Sequence, residues 1–255
     1  MALIQSAVSL LILGFLYRRM IKREIPTPIS KSQAIVPVIL GVVSLLLSLA
    51  FFIVDGLILG SMGYVGSDYP PLARSVIGSL AAAGLPEEAA KLLMIIITVV
   101  IFRSKIRNVY EYILIGAAVG LGFTLFEEFL YGSDSLLIAA GRLITVAAHM
   151  LIGIIMGRHL GIARYYKITG KGSASVQYIL AVIVPVVIHT LYDSCIATNK
   201  LLEDNDETIQ GIGAVLAVTA CVGMFVLQFI ILGRTKKNAG KYCEMLLLEQ
   251  RDKHL

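Results

Sequence analysis

Two adjacent carboxylates and a lysine, Glu87, Glu88 and Lys91, interrupt a stretch from about Leu72 to Phe102 that is otherwise apolar enough to lie inside a membrane. An ionised side chain at the bilayer centre costs about 2.5–3.5 kcal/mol on insertion scales, so such groups are read as functional. Three further constellations follow at similar depth: Glu127 with Glu128, Arg142 with His149, and His189 with Asp193. Glu87 and Lys91 are four residues apart and share a helix face, with Glu88 offset by about 100°. Arg142 and His149, seven apart, also share a face. His189 and Asp193 stand at the spacing at which a carboxylate orients an imidazole. Paired carboxylates with two histidines suit hydrolysis, in which a glutamate takes a proton from water while histidine and a cation stabilise the oxyanion. Blander readings stand beside this one: Glu87 could merely neutralise Lys91, and Glu127 and Glu128 could anchor the chain at the outer headgroups.

The elements that must position these groups are membrane spans. Of the 255 residues 57% are hydrophobic and 15% charged, with a mean hydropathy of +0.84, far from the roughly 45–50% apolar and 25% charged of a soluble domain. The fold class is an all-α polytopic bundle of about seven transmembrane helices, forming one membrane domain over residues 1–255, with a core at 72–198 and a tail at 234–255. Spans are expected at about Ala2–Tyr17, Ala34–Leu59, Leu72–Phe102, Val109–Tyr131, Leu136–Met156, Val176–Thr198 and Ile209–Gly233. The third is long for about 30 Å of hydrocarbon. Pro86 suits the first turn of a helix and the two glutamates after it suit the positive end of the helix dipole, so this span is expected to break at Pro86. Pro26 and Pro28 keep the first loop non-helical. Gly132-Ser133-Asp134 makes a minimal loop, Glu203–Glu207 an acidic one, and Glu244–Gln250 a short interfacial helix.

Of the 22 lysines and arginines, 18 fall on alternate loops or the tail. The positive-inside rule then puts the N-terminus outside and the tail in the cytoplasm. The net charge of +5 and pI near 9.1 are therefore topology signals beside a lipid bilayer, and nucleic acid is discounted as a partner. Cys195, Cys221 and Cys243 lack the spacing of a disulfide framework or a zinc ribbon. Taking each span's midpoint as the bilayer centre, most of the charged groups lie at or up to roughly 12 Å outside it, so the cavity they line is expected to open externally.

The chain has no His-Glu-x-x-His, no Gly-x-Gly-Asp and no Gly-x-Ser-Gly motif. Glu88, His149 and His189 are the residues a zinc ion would take as ligands were the chemistry metal-dependent. Glu87-Glu88-Ala89-Ala90-Lys91, Phe123-x-x-x-Glu127, Arg142 with His149, and His189-x-x-x-Asp193, in this order on successive spans, resemble the PrsW family of bacterial intramembrane proteases, within the wider CAAX-protease and bacteriocin-processing superfamily. The resemblance covers about Leu72 to Asp193. It implies Glu87, Glu88, His149 and His189 as catalytic residues, with Lys91, Glu127, Arg142 and Asp193 in support. Glu128 stands where many relatives place Asn; Lys91 and Asp193 stand where the wider superfamily often has Arg and Asn. The family has been described both as metalloproteases and as glutamic-type enzymes, and the glutamic reading, without a cofactor, is favoured here. The resemblance further implies a bacterial cell-membrane location and a single-span membrane protein as substrate, such as an anti-sigma factor cleaved on its extracytoplasmic side. The competing class is a proton-coupled transporter or channel with the Glu, His and Lys residues as a relay. The internal repeats common in secondary transporters are missing from the sequence.

Overall fold

A computed structural model describes residues 2–24, 28–130, 135–202 and 207–247. Within these, α1 (Ala2–Ile21), α2 (Lys31–Ser61), α3 (Pro71–Ser79), α4 (Leu85–Ile101), α5 (Val109–Leu130), α6 (Leu136–Ile144), α7 (Ala148–Thr169), α8 (Ala174–Leu202), α9 (Glu207–Lys237) and α10 (Ala239–Glu244) follow in order. Among the described residues, six helical runs are long and apolar enough to cross a membrane, with α6 and α7 counted in one run. The protein is a polytopic helical bundle, as the sequence predicts. Pro26, Gly132–Asp134, most of the acidic loop at 203–206 and the tail beyond residue 247 lie outside the described residues.

The third span differs from expectation in kind. Helix does not stop at Pro86; α3 passes into α4 through a π-helical turn, Leu80–Gly84, in which the Leu85 N–H reaches back to Leu80 O. A proline in a helix removes one backbone donor and crowds the preceding turn, and widening that turn absorbs both effects without a chain break. The fifth span also differs. The turn at Thr145–Ala147 divides it, and α7 continues to Gly170, whose left-handed conformation (φ 69°) ends it. Arg158, Arg164 and Lys167, beyond the expected end of the span at Met156, thus lie within α7. The tail helix is α10, ahead of the expected Glu244–Gln250 segment; beyond it Leu246 pairs with Asn108 as an antiparallel bridge.

α5 is the central post, buried along nearly its whole length. On one side it packs with α1, α7 and α10 through Leu13, Tyr110, Leu114, Met150 and Cys243; on the other with α4 through Ile95, Val109 and Ile115. Glycines set its spacing. A Cβ on Gly116 or Gly120 of α5 would collide with the backbone carbonyls of Gly153 and His149 on α7, and one on Gly153 would collide with Gly116 O. Small residues four apart allow this close helix approach in membranes.

At the end of α5 remote from Glu127, Asn108 caps the helix by accepting from the Glu111 N–H at 3.1 Å. Arg107 bridges Glu24 (3.0 Å) and Glu111 (2.8 Å), and Gln33 donates to Glu111 at 3.3 Å. Burial, and then the neighbouring Glu111 carboxyl, push the Glu24 carboxyl from 4.5 up to about 8, against the lowering pull of Arg107 and Asn108. Between those two values the folded protein holds a proton that the unfolded chain has released, so stability falls as pH rises through the window and levels off above it. Replacing Glu24 with Gln is therefore expected to flatten this part of the decline. Thermal unfolding in detergent at a series of pH values checks it; an unchanged slope would contradict the assignment.

Candidate active site

Three local features bring the charged groups together. Pro86 stands in the first turn of α4, with Glu87 and Glu88 behind it. Gly84, just ahead, lets this turn press against α8, since a Cβ there would collide with the Thr190 hydroxyl beside His189. The turn at Thr145–Ala147 places His149 at the second residue of α7, close to the end of α5 that carries Glu127 and Glu128. Non-helical backbone at membrane depth needs other partners, and Gln228 of α9 supplies them. Its Oε1 accepts from the Ala147 N–H at 3.1 Å and its Nε2 donates to Ile144 O at 3.0 Å.

All eight residues named from the sequence fall in this region. Lys91 is buried at its centre, with Nζ 2.7 Å from Glu88 Oε1, 3.5 Å from Glu87 Oε2 and 4.0 Å from the centre of the Phe123 ring. It also lies 2.9 Å from His149 Nδ1. Because an ammonium only donates, His149 accepts at Nδ1, and its Nε2–H then donates to Glu127 Oε2 at 2.6 Å. His189 donates through Nδ1 to Glu88 Oε1 at 2.7 Å. Its Nε2 faces Asp193 Oδ2 at 3.3 Å and Glu87 Oε2 at 3.7 Å. The two imidazoles meet edge to face, ring centres 5.1 Å apart. Arg142 lies 2.6 Å from Glu128 Oε1 and 3.4 Å from Glu127 Oε1.

The adjacent glutamates have different settings. Glu88 is 1% exposed and its Oε1 is shared by Lys91 and His189. Glu87 is 21% exposed on its side chain; its Oε2, like Glu88 Oε2, is buried and takes no hydrogen bond from any described residue. The two thus differ in exposure and in the short bonds on Glu88 Oε1. Glu87, His149 and His189 also offer ligand atoms that all lie within 4.8 Å of one another. The ligand set read from the sequence holds Glu88 in the place that Glu87 takes in this group. One helix cannot turn residues i and i+1 to the same point, and Glu88 is committed to Lys91 and His189 Nδ1. The donor set fits a divalent metal such as zinc: nitrogen and carboxylate ligands, each imidazole backed by a carboxylate on its other nitrogen, and an oxygen of Glu87 without a hydrogen bond. His149 would offer the Nδ1 that here accepts from Lys91, so the ammonium would have to give up that contact. Glu128 is also unlike the headgroup anchor of the blander reading, being 3% exposed.

Sequence reasoning missed Gln5, Ser9 and Gln228. Gln5 and Ser9 reach Glu128 Oε2 at 2.7 and 3.2 Å. Their signal was available: Gln5 and Ser9 stand four apart, on one face, in a stretch where only Ser6 is otherwise polar before Tyr17.

Fold and cluster together define a polytopic membrane protein with a carboxylate–imidazole centre buried among its helices. The sequence model of the PrsW family, described as intramembrane metalloproteases, matches residues 30–231, and the chain belongs to that family. Two similar proteins are both named Protease PrsW. The one from Bacillus subtilis (strain 168) is 34% identical over 120 residues, 45% of this chain and 52% of that protein. The one from Halalkalibacterium halodurans is 34% identical over 87 residues, 33% of this chain and 39% of that protein. The matched stretch thus spans about half the length of the first relative and less of the second. No solved structure matches the chain.

Proposed function

We propose that this protein is an intramembrane endopeptidase that hydrolyses a peptide bond in a membrane-anchored regulatory protein, such as an anti-sigma factor. The observation that carries the reading is Glu87, partly exposed and with no hydrogen bond on Oε2, 3.7 Å from the outward nitrogen of His189 while Glu88 and Glu127 hold the two imidazoles from behind. Glu87 meets the water and takes its proton as the oxygen attacks the peptide carbonyl. Lys91 and the Nε2–H of His189 face the oxyanion that develops. The proton held by Glu87 then passes to the leaving amine. The same space would hold a divalent metal through Glu87, His149 and His189, and when bound it would supply Lewis-acid polarisation of the water and the carbonyl. Glu88 and Glu127 orient the two imidazoles in both versions.

The orientation proposed is N-terminus outside and C-terminus cytoplasmic, supported by the basic residues at 103–107 and 158–171. α5 starts beside the first of these groups and reaches Glu127 near its other end, so cleavage is proposed in the outer half of the membrane.

A co-reconstituted single-span reporter in liposomes tests the reading. Cleavage by the parent protein that is lost in Glu87→Gln is expected, and an unchanged rate in the variant would remove Glu87 from the chemistry. Chelator added to the parent separates the two versions. Loss of cleavage restored by zinc assigns Glu87, His149 and His189 as ligands; cleavage indifferent to chelator assigns Glu87 as the base.

A further inference from the structure

α1 looks at first like a lipid-facing helix: Leu3, Leu10 and Leu11 are exposed along it, and it precedes the residues matched by the family model. Its buried stripe is different. Gln5 and Ser9 are 3% and 0% exposed, and both donate to one oxygen of Glu128, Oε2, at 2.7 and 3.2 Å. Ser6 adds a bond to the Glu128 backbone carbonyl at 3.1 Å. The other oxygen of Glu128 takes Arg142, whose same Nη2 reaches on to Glu127. Glu127 in turn accepts from His149. At its far end α1 is held by Tyr17 on Ala34 O (3.2 Å), by Tyr110 on Met20 O (3.0 Å) and, just past it, by the Glu24–Arg107 pair. Its register against α5 is therefore fixed, and Gln5 and Ser9 cannot slide off Glu128.

We propose that α1 is a working part of the site, with Gln5 and Ser9 as positioning residues that set, through Glu128 and Arg142, the geometry in which Glu127 holds His149. The reason is competition for one guanidinium. Buried carboxylates need their lone pairs satisfied, and Glu127 and Glu128 share Arg142. With two donors from α1 on its second oxygen, Glu128 leaves part of Arg142 for Glu127. Without them it draws the guanidinium to itself, and Glu127 loses the contact that fixes the carboxylate against the imidazole.

The inference rests on the proteolytic reading for one of its two measurements only. The first is the 15N spectrum of histidine-labelled full-length protein in nanodiscs, with His149 assigned by its loss in His149→Asn. In Gln5→Leu/Ser9→Ala the His149 nitrogens are expected to shift while those of His159, which bonds Gln177 and Arg158 instead, stay in place. The second is reporter cleavage, where kcat is expected to fall about tenfold with KM unchanged, the low end of the effect of partners that orient a functional imidazole. Ser9→Ala alone, which removes one hydroxyl, moves both in the same direction by less. Leu13→Ala serves as the control, since it thins the packing of the same helix without touching Glu128; it lowers the melting temperature and leaves the His149 signals alone. Unmoved His149 signals in both variants, or an equal shift in Leu13→Ala, would overturn the proposal. Shifted His149 signals in a protein that cleaves no reporter would sink the proteolytic reading and leave this one standing.

Discussion

Glu87→Gln is expected to lower reporter cleavage by about 10³-fold, within the range that a positioned general base contributes, with little change in melting temperature. The reason lies in how lightly Glu87 is bound. Its contacts to Lys91 and His189 are 3.5 and 3.7 Å long, and its side chain is partly exposed. Gln keeps the size and most of the packing while removing the basic oxygen. Glu88→Gln is the instructive contrast. Glu88 lies 2.7 Å from both Lys91 Nζ and His189 Nδ1, so neutralising it leaves a buried ammonium without its nearest countercharge and weakens the hydrogen bond that holds the imidazole. Breaking a buried pair from one side costs about 3 kcal/mol or more, and Glu88→Gln should therefore lose stability together with cleavage. Thermal unfolding and reporter kinetics on the two variants separate the roles. Equal destabilisation by both substitutions would show that Glu87 is as structural as Glu88, and the division of labour between them would fail.

Much of this site is legible in the sequence because charge inside a membrane is so costly that each ionised side chain signals itself against an apolar background. Glu87, Glu88, Lys91, Glu127, Arg142, His149, His189 and Asp193 are all found that way, and the spans follow from hydropathy. What sequence hides is the second partner of each group. Glu88 and Glu87 look alike as neighbours in a motif; only the packing of α4 against α8 shows that Glu88 turns to Lys91 and His189 Nδ1 at 2.7 Å while Glu87 keeps only contacts of 3.5 and 3.7 Å and a partly exposed side chain. Gln5, Ser9 and Gln228 are uncharged, so hydropathy passes over them although each satisfies a buried group. Glu24 and Glu111 read as ordinary charges near a loop, yet Arg107 gathers them into a buried cluster. The irregular turns escape for another reason. Pro86 announces that something must yield, but whether the chain breaks or widens into the π turn at Leu80–Gly84 depends on the neighbours that receive it.

The second large effect is expected at Gly120, which carries no chemistry. A methyl group there would enter the van der Waals envelope of the His149 carbonyl oxygen, with the Met150 Cα 2.7 Å away. These neighbours are backbone atoms, so no side chain can rotate aside, and α7 would have to move from α5. Overpacking of this kind costs about 1–3 kcal/mol. The displacement would fall on the residue that bonds both Lys91 and Glu127. Gly120→Ala is thus expected to reduce the melting temperature and to lower kcat in the molecules that remain folded. Gly14→Ala and Gly223→Ala, where nothing lies within 4 Å of the added carbon, should be neutral or slightly stabilising because alanine is the better helix former. If Gly120→Ala behaved like those two, the tight seam between α5 and α7 would not be what holds His149 at its station. If it lost stability but kept full kcat, the seam would hold the bundle without tuning the site. The structure argues against that separation, because the seam and the imidazole share one residue: His149 gives its carbonyl to the contact with Gly120 and its ring to Lys91 and Glu127.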